Sequence, residues 1–130
     1  MVEGGTKWDF EVEILGEPAS KANSRRLVTI GGKPRFIKSA KALSYCKEFE
    51  KQCPTRSPLL EKDIEVEMIM WMASRRPDLD ESLVLDLLQG RAYKNDRQVK
   101  IKRIFWALDR KIPRVIIRMR EIGEDYSLPS

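Results

Sequence analysis

The chain has 130 residues with a formal net charge of +5, and its 42% hydrophobic and 35% charged residues are typical of a soluble globular protein. No apolar run approaches the roughly 18 residues of a membrane span, and the first ten residues lack the apolar segment of a secretory signal. The absence of histidine excludes Ser-His and Cys-His catalysis. We therefore expect a cytoplasmic protein with one domain over residues 1–130, of which 123–130 form a loose tail.

The first half of the chain predicts a strand, a hairpin and a helix. Residues 8–15 alternate apolar and acidic side chains, which indicates a strand with one wet face. Residues 19–26 are polar and basic and predict a loop. Residues 27–30 and 33–37 flank Gly31-Gly32, a pattern typical of a tight hairpin. A helix should begin after Ser39 and end at Pro54, with an inward stripe made of Ala42, Leu43, Cys46, Phe49 and Cys53.

The second half predicts the sheet that completes the fold. Residues 64–72 are the most apolar run and indicate a central strand. Residues 81–89 predict a short helix stopped by Gly90. Residues 99–108 and 113–121 predict two further strands. The expected class is α+β, with a mixed sheet of about four to five strands and two main helices.

Charge is distributed in blocks along the chain. Residues 21–56 carry net +8 and residues 91–120 carry net +9, whereas residues 57–90 between them carry net −5. An acidic centre within a basic surround suits metal-dependent cutting of a polyanion better than plain nucleic-acid binding. The alternative is the uneven charge that many soluble proteins show.

Three aspartates follow the predicted central strand and form the candidate catalytic and metal site. Asp78 and Asp80 are one residue apart, in a segment that Pro77 favours as extended, so that both side chains share one face. Asp96 lies in an Asn-Asp-Arg-Gln turn, and the loop before it is long enough to bring it back to the pair. Three carboxylates suit Mg²⁺, or Mn²⁺ as a substitute, and such an ion supports phosphodiester hydrolysis.

Basic and amide side chains near these aspartates are the candidate nucleic-acid contacts. Cations hold a phosphate backbone against the repulsion of the carboxylates. A merely solvated loop is the alternative for residues 19–26. The candidate contacts are Lys21, Asn23, Arg25, Arg26, Arg75, Arg76, Lys94 and Arg97.

Residues 75–99, RRPDLDES…LDLLQGRAYKNDRQV, resemble the signature of the RusA-type Holliday-junction resolvases, the crossover junction endodeoxyribonucleases. That family carries an Asp-x-Asp pair, a Leu-Asp-x-Leu helix and an Asp-Asp or Asn-Asp turn followed by x-Gln-Val, in this order. The resemblance extends more loosely to the opening strand, to Lys21-Ala22-Asn23, to a basic helix and to a last strand after Pro113.

The resemblance implies an α+β, homodimeric, Mg²⁺-dependent endonuclease. Such an enzyme resolves four-way DNA junctions by paired strand nicks in recombination and repair, typically from phage-derived genes. The family's catalytic and metal-binding roles carry over to Asp78, Asp80 and Asp96. The implied setting is the cytoplasm of a bacterial or phage-infected cell.

Two departures from the family pattern concern the predicted helix. The family often has a lysine four residues after the second aspartate, where this chain has Val84, and the interval from Asp80 to Asp86 is about two residues short. Asn95 occupies the position of the first acid in the family's turn. We interpret Asp86 as a solvated helix residue and Glu81 as a first-turn partner of the helix dipole. Candidate replacements for the lysine are Lys94, Lys21 and Arg76.

Two other functions remain open from the sequence. The chain could bind DNA junctions without cutting them, since the altered start of the helix affects the site. It could also be a metal nuclease that acts on RNA or on simple duplex DNA. Asp78→Asn separates binding from cutting, and a comparison of junction, duplex and RNA substrates separates the nucleases.

Overall fold

A computed structural model of the chain describes residues 8–123, 126, 128 and 129. Two predictions therefore lie partly outside the described residues. They are the loose tail over residues 123–130 and the absence of a secretory signal in the first ten residues. The elements follow in the order β1 (Phe10–Leu15), α1 (Lys21–Ser24), β2 (Arg25–Ile30), β3 (Lys33–Lys38), α2 (Ala40–Gln52), β4 (Ile64–Met72), α3 (Glu81–Leu88), a 3₁₀ turn (Asp96–Gln98), β5 (Val99–Leu108) and β6 (Arg114–Glu121).

The main sheet has the strand order β1-β6-β4-β5, and β2 and β3 form a separate hairpin. β6 pairs antiparallel with both β1 and β4, whereas β4 and β5 are parallel. The predicted α+β class, the mixed sheet, the central position of β4 and the hairpin are confirmed. Parallel neighbours need a long crossover connection, and here that connection, residues 73–98, contains α3 and all three candidate aspartates.

One face of the sheet and the helices enclose the core. Val66, Met68 and Met70 of β4 are fully buried, as are Phe49 of α2 and Leu88 of α3. Alternation along β4 sends its other side chains to the opposite face. None of the helices in the described part of the chain is long and apolar enough to cross a membrane.

The inward stripe of α2 differs from the predicted one. Ala42, Tyr45 and Phe49 are buried, whereas Leu43 is 50% exposed. Ser39 caps the helix as expected, because its side chain accepts a hydrogen bond from the N–H of Ala42 (3.1 Å). The apolar residues of this helix fit two overlapping stripes, one with Leu43 and one with Tyr45. The stripe that contains the larger tyrosine ring is the one that packs into the core.

The sheet face opposite the core carries a network of arginines and glutamates. Arg118 donates to Glu11 (2.6 Å) and to Glu67 (3.0 Å), and both acids raise the pKa of its guanidinium. Arg120 donates to Glu65 (2.6 Å), a carboxylate only 4% exposed. Cross-strand pairs of opposite charge stabilise neighbouring strands, so this face compensates most of its own positive charge.

The predicted loop at residues 19–26 contains α1 and the start of β2. The Ser24 hydroxyl donates to the Ser20 carbonyl (2.8 Å), and the N–H of Asn23 donates to the same carbonyl (2.9 Å). These contacts close one helical turn. A single turn shows no hydrophobic period in a sequence, which is why the sequence indicated a loop instead.

The buried amide of Gln98 holds the end of the crossover connection. Its Oε1 accepts from the N–H groups of Lys94 (3.0 Å) and Asn95 (2.7 Å). Its Nε2 donates to the carbonyls of Leu60 and Lys62, both at 2.8 Å. One side chain therefore fixes the 3₁₀ turn to the segment that precedes β4.

We predict that Gln98→Ala destabilises the fold by about 2 kcal/mol, because it leaves buried backbone donors and acceptors without partners. Urea denaturation followed by circular dichroism measures this change. Gln89→Ala is the matched control, since Gln89 is exposed at the end of α3 and its removal should change stability by less than about 0.5 kcal/mol. Equal stability of the two variants would contradict the role assigned to Gln98.

Candidate active site and DNA-contacting residues

Asp78 lies in the segment between β4 and α3, and its carboxylate is held from two directions. The N–H of Ala22 in α1 donates to Oδ2 (3.1 Å), and Nε of Arg76 donates to Oδ1 (3.3 Å). The N–H of Lys21 donates to the carbonyl of Asp78 (2.9 Å). The Ala22 hydrogen bond and then Arg76 hold the pKa of Asp78 below its usual range. The carboxylate is therefore charged at neutral pH.

The backbone around Asp78 is turned rather than extended. The N–H of Leu79 donates to the carbonyl of Pro77 (2.9 Å), which closes a three-residue turn. Asp80 then caps α3, because its Oδ1 accepts from the N–H of Leu83 (3.2 Å). The capping role is as predicted, but the extended backbone is not. Asp78 is engaged by α1, whereas Asp80 is engaged by the first turn of α3.

Asp96 is exposed at the start of the 3₁₀ turn, and other side chains shape that turn. The side chain of Asn95 accepts from the N–H of Arg97 (3.0 Å), and Gln98 accepts from the N–H of Asn95. Within the described residues, the Asp96 carboxylate has neither a hydrogen-bond donor nor an ion-pair partner. Both of its oxygens therefore remain available to a ligand.

Two of the three candidate acids, Asp80 and Asp96, line neighbouring cavities, whereas Asp78 lines neither of them. A cavity of about 470 Å³ is lined by Asp80 with Lys21, Arg25 and Phe36, and one of about 230 Å³ is lined by Asp96. Ser82 lines both cavities, which places them side by side at the start of α3.

The donor chemistry of these acids fits a hard cation, because carboxylate oxygens are the ligands that Mg²⁺ prefers. Among residues 8–123 and the three described positions beyond them, no three histidine, cysteine, aspartate or glutamate side chains lie close enough to bind one ion. The structure thus places Asp78, Asp80 and Asp96 in one connection without gathering their carboxylates into one cluster.

Asp86 shares the cavity of Asp96, a position that the sequence did not indicate. Tyr93 lines the same cavity and donates its hydroxyl to the carbonyl of Leu85 (2.7 Å). Burial raises the pKa of Tyr93, and the nearby charges of Asp86 and Asp96 raise it further. Asp86 is therefore a second carboxylate at this site rather than only a solvated helix residue.

Glu81, at the start of α3, forms ion pairs with two lysines. Its Oε1 lies 3.9 Å from Nζ of Lys21, and its Oε2 lies 3.7 Å from Nζ of Lys102. Lys102 also lines the cavity of Asp96. Sequence reasoning missed Lys102, because its approach depends on the parallel pairing of β5 with β4. The only signal in the sequence was its alternation with apolar residues along a strand.

Val84, at the position where the family often has a lysine, is fully buried in the core. Of the three predicted replacements, Lys21 lines the cavity of Asp80, and Arg76 binds Asp78. Lys94 instead pairs with Glu61 and lines neither cavity. The position of Lys102 makes it a fourth candidate.

The remaining predicted nucleic-acid contacts are exposed side chains, and of these only Arg25 is among the described lining residues of the two cavities. Asn23 lies in α1, where its carbonyl accepts from the Ser39 hydroxyl (2.5 Å). Four arginines are exposed and form no ion pair within the described residues; they are Arg25 and Arg26 on β2, Arg75 after β4 and Arg97 in the 3₁₀ turn.

The chain was compared with models of known protein families and with curated proteins. A family model described as endodeoxyribonuclease RusA matches residues 16–120, a range that includes both cavities and the whole crossover connection. A comparison with curated proteins finds no significant match. Because the family model covers most of the chain, the protein belongs to the RusA family of endodeoxyribonucleases, hydrolases that resolve Holliday junctions in DNA.

Proposed function

We propose that this protein is a Mg²⁺-dependent endonuclease that resolves four-way DNA junctions by paired strand nicks in recombination or repair. The observation that carries the proposal is the match of the RusA family model over residues 16–120. That range contains the three aspartates in the connection from β4 to β5 and exposed arginines that form no ion pair within the described residues. RusA-family resolvases act on branched DNA and are generally metal-dependent. We place the protein in the cytoplasm of a bacterial or phage-infected cell, with a phage-derived gene, because its substrate arises there.

We propose Asp78, Asp80 and Asp96 as the metal-binding carboxylates, although the described chain does not gather them around one point, and Asp86 is a further carboxylate that lines the cavity of Asp96. A bound Mg²⁺ supplies positive charge to the scissile phosphate and makes a water molecule more acidic. The hydrogen bonds from the Ala22 N–H and the Arg76 side chain lower the pKa of Asp78 and so favour the ionised carboxylate that a metal ion needs. Asp80 uses one oxygen as a cap and retains the other for a ligand.

Positive charge at the cavity of Asp96 is proposed to come from Lys102. Its ammonium group is held by Glu81, and it stands where a phosphate would meet the carboxylates. Lys21 reaches the other oxygen of Glu81 from α1. The two lysines would neutralise charge that develops on the phosphate, which is the task that the family's lysine would perform at the position of the buried Val84.

A two-fold homodimer is the proposed assembly, because a four-way junction has near-twofold symmetry and requires two cuts. β5 is an edge strand of the sheet, so one side of it has backbone groups that no other strand among the described residues pairs. Phe105 and Trp106 on this strand are 45% and 38% exposed. These features support β5 as part of the surface between the two copies.

We predict that Asp78→Asn, Asp80→Asn and Asp96→Asn each lower Mg²⁺-dependent cleavage of a labelled four-way junction by roughly 100-fold or more. Asparagine keeps the capping and acceptor roles, so thermal unfolding should not change. Junction binding measured without divalent ions should persist or tighten, since one negative charge near the phosphates is removed.

The control for these variants is Asp63→Asn, which changes an acid that lines a separate cavity beside Ile122. Wild type and variants that are equally inert over a Mg²⁺ and Mn²⁺ titration would instead establish a junction-binding module. Equal cutting of junction, component duplex and matched RNA would identify a nuclease without preference for branched DNA.

For Lys102→Met we expect cleavage to fall by about ten- to a hundredfold while junction affinity changes little, because the lost charge acts mainly on the reacting phosphate. Single-turnover cleavage rates measure the effect. Lys111→Met, in the exposed turn between β5 and β6, should cut as wild type does. A Lys102→Met enzyme that is as fast as Lys111→Met would remove Lys102 from the site.

Arg25→Ala should reduce the slope of log K against log salt concentration for junction binding by about one unit, because one phosphate contact is lost. Fluorescence anisotropy over a salt series measures this slope. Lys51→Ala is the control, since Lys51 pairs with Glu48 on α2 and should leave the slope unchanged. An unchanged slope for Arg25→Ala would exclude Arg25 as a phosphate contact.

A further inference from the structure

The β2–β3 hairpin stands away from the main sheet. Its two strands pair only with each other, and all of their residues are exposed except Val28 and Ile37, which are half-buried. The turn at Gly31-Gly32 has φ values of 59° and 77°, and a Cβ added at either glycine would meet no atom within 4 Å. The space around the two glycines at the tip of the hairpin is therefore open.

The base of the hairpin, in contrast, is fixed to the helices. The N–H of Ser39 donates to the carbonyl of Ser24 (2.8 Å), and its hydroxyl donates to the carbonyl of Asn23. Ser39 is also the cap of α2. These contacts lock the first and last residues of the hairpin, so its direction relative to the cavity of Asp80 is set.

One face of the hairpin presents apolar side chains to solvent. Leu27 pairs with Phe36 across the strands, and cross-strand partners share a face. Leu27 is 60% exposed and Phe36 is 74% exposed. Phe36 also lines the cavity of Asp80, together with Arg25 and Lys21. This exposed aromatic ring thus lies at the entrance to the proposed catalytic site.

The charge of the hairpin is entirely positive. Residues 25–38 contain five cations and no acid, and none of these cations forms an ion pair within the described residues. The arginines on the open face of the main sheet are, by contrast, paired with glutamates. Uncompensated positive charge is therefore concentrated on the hairpin.

We propose that the β2–β3 hairpin recognises the branch point of DNA, with Phe36 stacked on a base that is unpaired there and Leu27 supporting the ring. Aromatic rings within a basic groove bind unstacked bases of any sequence. The cations of the hairpin hold the flanking phosphates. The inference rests on the proposed function for its substrate, but it concerns preference for branched DNA rather than hydrolysis.

A second copy of the chain is a less suitable occupant of this surface. Two hairpins brought together would place five cations against five cations, with no acid on either to compensate them. A polyanion with accessible bases matches both the charge and the aromatic ring.

The test compares the affinities of Phe36→Ala for three DNA probes, measured in EDTA so that no cleavage occurs. The probes are a four-way junction, its component duplex, and the same duplex with a two-base bulge. Loss of stacking should weaken junction and bulge binding about tenfold and leave duplex binding within about twofold. The salt slope should not change, because Phe36 carries no charge. Phe36→Trp should restore binding.

Leu43→Ala is the control, since Leu43 is also an exposed apolar residue but belongs to α2 rather than to the hairpin. Unchanged junction affinity of Phe36→Ala would overturn the proposal, and so would an equal loss on all three probes or a change in the sedimentation of the free protein. A wild type that prefers the junction through Phe36 but does not cut it would refute only the proposed hydrolysis. A wild type that cuts while Phe36→Ala binds normally would refute only this inference.

Discussion

The parallel pairing of β4 with β5 is the constraint on which the proposed site depends. Parallel neighbours cannot be joined by a tight turn, so the chain must return along the sheet before β5 begins. That return, residues 73–98, carries α3 and the three aspartates. The same pairing brings Lys102 of β5 beside Glu81. One strand register therefore brings Lys102 to the start of α3 and to the cavity that Asp96 lines.

Charge compensation separates the two sides of the molecule. On the open face of the sheet, Arg118 and Arg120 are satisfied by glutamates from neighbouring strands. On the side of α1 and the hairpin, arginines such as Arg25 have no acidic partner in the part of the chain that the structure describes. A polyanion therefore gains more electrostatic attraction on the side of α1 and the hairpin than on the open face of the sheet. We therefore expect DNA to approach the aspartates rather than the open face of the sheet.

Regular elements could be predicted from the sequence, whereas contacts between distant segments could not. The apolar run over residues 64–72 predicted β4 with its correct bounds, because a central strand is covered on both faces and takes apolar side chains nearly throughout. The inward stripe of α2 was partly wrong, since Leu43 and Tyr45 fit alternative stripes of one short helix. The three aspartates were predicted from spacing and resemblance, and their metal-binding role stays a prediction. Lys102 and the burial of Val84 could not be predicted, because both follow from packing that no local pattern records.

The amide of Gln98 determines whether the shape of the turn that presents Asp96 depends on pH. The turn that presents Asp96 is shaped by the side chains of Asn95 and Gln98, and neither of these amides gains or loses a proton in the working range of a protein. A glutamate in that buried position would have linked the shape of the turn to proton concentration. With an amide there, the shape of the turn that presents Asp96 does not depend on proton concentration.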